Sequence, residues 1–178
     1  SDSIMLNVSR GCTRGCRFCM SSYLYRPLRE TTIKELVNIA LKTRENTNLN
    51  KITLIGAAVG DYYDLEGLTK ALESEGFQIA TPSLRIDSLS RETLETLKKS
   101  GLKSITIAPE SISTLRERIN KSISDEKIFS VIKNAVDLDF NIKLYFLIGI
   151  PYESKEDIEE LANYIEKIAN MHKNRNYI

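Results

Sequence analysis

The sequence predicts an α/β chain built as a partial, open (β/α) barrel of about five or six units around a parallel sheet. Three observations predict it. Strand and helix signals alternate along all 178 residues, the pattern that gives parallel strands with helices outside. No Gly-x-Gly-x-x-Gly follows any strand run, which argues against a dinucleotide-binding sheet. An eight-unit barrel takes ~250 residues, more than this chain has.

Each element has its own signal. Residues 4–8 form a first apolar run, and a cysteine-bearing loop follows. Thr32-Ile33-Lys34-Glu35 has the form of a capping box. It opens a helix to about residue 47, with Ile33, Leu36, Val37, Ala40 and Leu41 at helical spacing. Residues 51–56 are a second strand before a Gly/Asp/Tyr loop, and residues 65–75 are a helix that Gly76 stops. Residues 77–84 are a third strand, with Pro82 near its end. Ser90 caps a helix to about residue 100, stopped by Gly101, and residues 104–108 are a fourth strand. A short helix near 113–119 precedes a longer one from about 124 to 138. Residues 141–150 carry the strongest strand signal, and Ser154 opens a final helix to about residue 171, with Asp157 at the acidic capping position.

Bulk properties exclude several classes. Hydrophobic residues make up 42%, enough for a packed core. With 25 basic and 24 acidic residues the net charge is +1, so no global field draws the chain to nucleic acid or membrane. No apolar run approaches the ~18 residues of a membrane span, and no secretory signal opens the chain. Three cysteines crowded between positions 12 and 19 make a poor disulfide framework, which points to the cytoplasm. Ser1-Asp2-Ser3 runs almost at once into an apolar segment with Met5 inside it. The expectation is a single domain, residues 1–178, excised from a longer protein.

In parallel α/β folds function collects beyond the C-terminal ends of the strands. The unusual residues fall there: the Cys12, Cys16, Cys19 loop, Gly56-Ala57-Ala58, Ser83 with Arg85, Pro109-Glu110-Ser111 and Gly149-Ile150-Pro151. Soft thiolates select iron–sulfur clusters, zinc or Cu(I). Structural zinc closes with four ligands, and the single histidine, His172, stands at the far end of the last helix. A ferredoxin-type cluster needs a fourth cysteine. Three cysteines with one position open suit a [4Fe–4S] cluster whose fourth iron is free for a substrate or cofactor. Two other readings of the same cysteines stand beside it, a zinc-stabilised RNA- or protein-binding module and an iron–sulfur electron carrier. Thr106, Ala108 and Glu110 share one strand face, small and polar enough to line a barrel interior. Arg10, Arg14, Arg17, Arg26 and Arg29, interleaved with Tyr23 and Tyr25, form either a basic patch for an anionic substrate or RNA, or a solvated face. Positive charge near a cluster raises its potential.

Cys12-x3-Cys16-x2-Cys19, with aromatic Phe18 just before the last cysteine, resembles the signature of the radical S-adenosylmethionine (radical SAM) superfamily. The resemblance spans essentially the whole chain. It implies a core domain truncated relative to a full (β/α)6 barrel, with Cys12, Cys16 and Cys19 holding [4Fe–4S]. It further implies that the open iron binds the amino and carboxylate groups of SAM. Reductive cleavage would then give methionine and a 5′-deoxyadenosyl radical that abstracts hydrogen from an unknown substrate. An external reductant such as ferredoxin or flavodoxin would supply the electron.

Gly56-Ala57-Ala58 stands where the family often has Gly-Gly-Glu. The Glu is absent, so only a backbone role toward the SAM amino group carries over. Glu110 matches a strand-four polar position that meets the SAM ribose or amino group. Within Leu115-Arg116-Glu117-Arg118-Ile119-Asn120-Lys121 the resemblance assigns the SAM carboxylate to Lys121, with Arg118 second. Ser83 and Arg85 resemble strand-three SAM contacts. Gly149-Ile150-Pro151 resembles the motif that lays backbone against adenine, although a plain turn explains Gly-x-Pro equally well. Arg10-Gly11-Cys12, Pro109-Glu110-Ser111 and residues 143–151 are similar to the group containing methylthiotransferases and cobalamin-associated radical SAM proteins. That implies cobalamin only through a domain absent from this chain. The substrate is not readable, because specificity in the family lies in strand six and later segments.

Overall fold

The alternation expected from the sequence is present. A computed structural model describes residues 2–81 and 84–173. Its elements run β1 (Ile4–Arg10), α1 (Ser21–Leu24), β2 (Arg29–Glu30), α2 (Ile33–Thr47), β3 (Lys51–Gly56), α3 (Leu65–Ser74) and β4 (Gln78–Ala80). They continue with α4 (Arg91–Lys99), β5 (Ser104–Glu110), α5 (Ser113–Arg118), α6 (Asp125–Asp137), β6 (Asn141–Phe146) and α7 (Lys155–Lys173). One sheet has the order β2-β1-β3-β4 and the other pairs β5 with β6. β1–β3, β3–β4 and β5–β6 are parallel. The wall continues between the two sheets, since the Leu84 N–H donates to Thr106 O at 3.1 Å.

Helix starts follow the expected side chains, because the first amides of a helix need acceptors. The Thr32 hydroxyl accepts from Glu35 N, and Glu35 returns a carboxylate to Thr32 N, closing the capping box. The Ser90 and Ser124 hydroxyls cap α4 and α6, accepting from Thr93 N and Lys127 N. Asp64 caps α3, taking the Gly67 N–H at 2.8 Å.

The core lies between strands and helices. Ile4, Leu6 and Val8 of β1, Ile52 and Leu54 of β3, and Ile105 and Ile107 of β5 point outward and are buried. They meet one continuous cluster with Leu36, Leu68, Leu72, Leu94, Leu97, Ile128 and Ile132 from the helices. Each such side chain contributes about 1.5–3 kcal/mol on burial. Period-two alternation then leaves the opposite strand face for the barrel interior.

Two departures from the sequence reading concern element ends, and a third concerns elements it did not contain. β4 stops at Ala80 and pairs only with Lys51–Thr53 of β3, shorter than the expected 77–84. β6 ends at Phe146, although the apolar run continues to Ile150. Gly149 turns the chain at φ 86° there, and the Glu153 N–H bonds back to Ile150 O. Between the cysteines and α2 the chain forms two elements with no periodic signal, α1 directly after Cys19 and β2 antiparallel to the end of β1.

Candidate functional site

The cysteine loop leaves β1 through a place only glycine fits. Gly11 has φ 93°, and a Cβ there would lie 2.1 Å from Tyr25 O and 2.8 Å from Pro27 O. Inside the loop, the Cys19 N–H donates to Cys16 O at 3.0 Å, and the buried Ser22 Oγ donates to Cys19 O. Residues 118–120 grip the loop from one side. Arg17 N donates to Ile119 O at 2.9 Å, and Asn120 Nδ2 donates to Arg14 O and Gly15 O at 3.2 and 2.9 Å.

Cys12, Cys16 and Cys19 are free thiols and line one cavity. Gly56, Ala57 and Ala58 at the end of β3, Arg85 after β4, Glu110 at the end of β5, and Lys121 after α5 line the same cavity. Gly56 is small for a reason, because a Cβ there would stand 2.9 Å from Ser9 Oγ and 3.2 Å from Ser9 O. Glu110 holds a left-handed φ of 68° beside a register shift against β6. For a non-glycine residue that conformation costs of order 1 kcal/mol. Its backbone carbonyl accepts from Leu147 N at 2.7 Å, and its Oε1 accepts from Lys121 Nζ at 2.6 Å. Both members of this ion pair are buried.

The three basic residues of the 115–121 stretch part company. Arg116 is fully buried and donates to Ile123 O at 3.0 Å, to Ser111 O and to Asp125. It is a structural joint rather than part of a solvated face. Arg118 is exposed and donates to Tyr152 O at 2.8 Å. Lys121 alone reaches the cysteine cavity.

Other expected positions fall elsewhere. Arg118 and Pro151 line a neighbouring cavity with Arg17, Ile119, Ile150 and Tyr152, and Phe18 borders both spaces. Gly149 is exposed, and its N–H donates to Glu153 Oε2 at 2.6 Å. Ser83 lies outside the described residues.

The arginines around the loop are not one uniform patch. Arg26 donates to Thr13 O and Arg17 to Arg118 O. Arg14 makes a two-pronged bond to Asp61 at 2.7 and 2.8 Å, and Arg85 makes another to Asp87. The Asp61 bond holds Arg14 well above its ordinary pKa although burial pulls it down. Burial would raise the Asp87 carboxyl, but Arg85 and Arg14 hold it below the usual range. Sequence reasoning missed Asp61, Asp87 and Asn120. The one local hint was Arg14 between the first two cysteines, and its partner Asp61 is 47 residues away.

Among the described residues no three Cys, His, Asp or Glu side chains converge to hold a single metal ion. A four-iron cluster spreads its thiolates over different irons. Three free thiols lining one cavity are a soft donor set of the kind an iron–sulfur cluster takes.

Residues 6–165 match the family described as the Radical SAM superfamily. This chain belongs to the radical SAM superfamily. The superfamily uses a [4Fe–4S] cluster and SAM, and its characterised homologues are enzymes. An uncharacterised protein of Methanocaldococcus jannaschii is 40% identical over 172 residues, 93% of this chain and 37% of that protein. Cytidylyl-2-hydroxyethylphosphonate methyltransferase of Streptomyces wedmorensis is 27% identical over 173 residues, 91% of this chain and 32% of that protein. The chain thus spans about a third of the length of these relatives. The fold matches the radical SAM methyltransferase TsrM of Kitasatospora setae, solved with cobalamin and a [4Fe–4S] cluster bound. The TM-score is 0.78 at 10% identity, covering 94% of this chain and 35% of TsrM. Among the described residues no helix is long and apolar enough to cross a membrane.

Proposed function

We propose that this chain is the cofactor-binding core of a radical SAM enzyme, with Cys12, Cys16 and Cys19 holding the cluster and SAM lying across the strand ends. One observation carries the reading. Three thiols, the Gly56 turn, Glu110 and Lys121 come from four separate loops and line a single cavity. When bound, the reduced cluster supplies the electron that splits SAM into methionine and a 5′-deoxyadenosyl radical.

The residues of this chain bind and orient. Lys121 carries the charge that a SAM carboxylate needs, and Glu110 offers a carboxylate for its amino group or ribose. In the protein alone these two charges satisfy each other. A zwitterionic ligand entering between them replaces each partner with one of the same sign, so no buried charge is left unpaired. The backbone of Gly56-Ala57-Ala58 supplies a surface with no side chain larger than a methyl group. Phe18 and the Ile150-Pro151 turn offer an apolar neighbour space for the adenine, with Gly149 and Arg118 at its margin. A small electron carrier of ferredoxin or flavodoxin type supplies the electron. Methyl or methylthio transfer is the reaction class suggested by relatives such as the Streptomyces methyltransferase, with cobalamin held by another domain where it is used.

Anaerobic reconstitution with iron and sulfide, then chemical reduction with SAM present, tests the reading. The expected result is the broad brown absorbance of a cluster and release of methionine and 5′-deoxyadenosine. Tight zinc uptake with no cluster would sink it, and a cluster that never cleaves SAM would leave only an electron carrier.

A further inference from the structure

Ion pairs that touch no thiol hold the cysteine loop from the side. Arg14 lies between Cys12 and Cys16. Its Nε and Nη2 donate to both Asp61 oxygens at 2.8 and 2.7 Å, and its Nη1 stands 3.3 Å from Asp87 Oδ2. Asp87 also accepts from Nε and Nη2 of Arg85, each at 3.0 Å. Arg85 Nε closes the ring 3.7 Å from Asp61 Oδ1. Loops after β1, β3 and β4 therefore meet in an alternating ring of two cations and two anions. The Asp61 and Arg85 side chains are only 13% and 16% exposed, so water competes weakly for them.

Two features say what such a ring does. Its four charges sum to zero, so it brings no net charge to the loop it holds. A guanidinium gripped on both prongs is fixed in orientation, as a lysine ammonium would not be. Asp61 also ends the turn that follows Gly56-Ala57-Ala58, so the ring ties the thiol loop to the backbone that lines the same cavity. We propose that Arg14 is a positioning residue, locked by Asp61 and Asp87 so that the cysteine loop keeps its cluster-binding spacing before any cofactor arrives. The purpose of the lock rests on the cluster reading above, whereas its existence does not.

Hydrogen exchange on the cofactor-free protein tests the lock, and anaerobic iron–sulfide uptake tests its purpose. Arg14→Lys keeps the charge and loses the fork, and Asp61→Asn keeps the shape and loses the anion. Both should speed exchange at residues 12–19 about five- to tenfold while β3 amides stay protected, and should slow uptake by a similar factor. Unchanged exchange at 12–19 overturns the proposal, and so does faster exchange with unchanged uptake. If Asp61→Asn also loses protection in β3, Asp87→Asn, which removes only the outer arm, carries the comparison with an expected change of about two- to threefold. A wild-type protein that takes up no cluster sinks the cofactor reading alone, and the exchange rates still decide whether the ring holds the loop.

Discussion

Glu110 combines three costs that one function would explain: a left-handed backbone, burial, and a charge whose partner is a buried lysine. Breaking a buried pair from one side leaves an uncompensated charge, worth about 3–5 kcal/mol. Lys121→Ala should therefore lower the thermal midpoint of the cofactor-free protein and, on the reading above, weaken SAM binding roughly tenfold or more, about 1.4 kcal/mol, with cluster iron unchanged. Calorimetry and equilibrium binding to the reconstituted protein check the two halves separately, and unchanged SAM affinity would move the carboxylate contact elsewhere. Cys16→Ala should abolish cluster assembly, read as iron and sulfide content, because two thiolates do not hold the cube. The cysteines were legible because their spacing lies within one loop. Lys121 could be favoured over Arg116 and Arg118 only by resemblance, since all three share one short stretch. Their different fates depend on what α6, β5 and the turn after β6 place opposite them.

At the scale of elements, the joint between β5, α5 and α6 rests on Arg116. It reaches Ser111 O beyond β5, Ile123 O before α6, and Asp125 in the first turn of α6. Arg116→Ala would leave the Ser111 and Ile123 carbonyls without their buried donor and part-exposed Asp125 without its partner, and a loss of about 3 kcal/mol is expected in denaturant unfolding. Lys121 follows this joint in the chain, so the same variant should also lower SAM affinity. At the other end of the site, Gly11→Ala would drive a methyl group into Tyr25 O. It should reduce iron uptake while leaving the circular-dichroism spectrum near that of the parent. Helix starts were legible element by element, because a cap is a relation between residues three apart. β4 and β6 were over-read at their ends. Strand length is decided by pairing, and β4 keeps register with β3 over only Gln78–Ala80.

At the scale of the molecule, cofactor binding and stability are linked, since any ligand that binds only the folded form stabilises it. SAM at 100 times its dissociation constant should raise the stability of the cluster-loaded protein by about 2.7 kcal/mol. Differential scanning calorimetry should show that shift in the wild type and none in Cys16→Ala. By itself the sequence determined the βα alternation, the apolar face of the first long helix, the capped helix starts and the thiol loop, because each is written in residues a few positions apart. Only the tertiary structure decided which of those pieces face one another. It brought Arg14 to Asp61, Asn120 to the cysteine loop, and Lys121 to Glu110. It also set Pro151 and Arg118 in a neighbouring space. The physical reason is that side-chain period and caps are local, whereas charge pairing and cavity lining depend on how the sheet curls and brings distant strand ends to one rim.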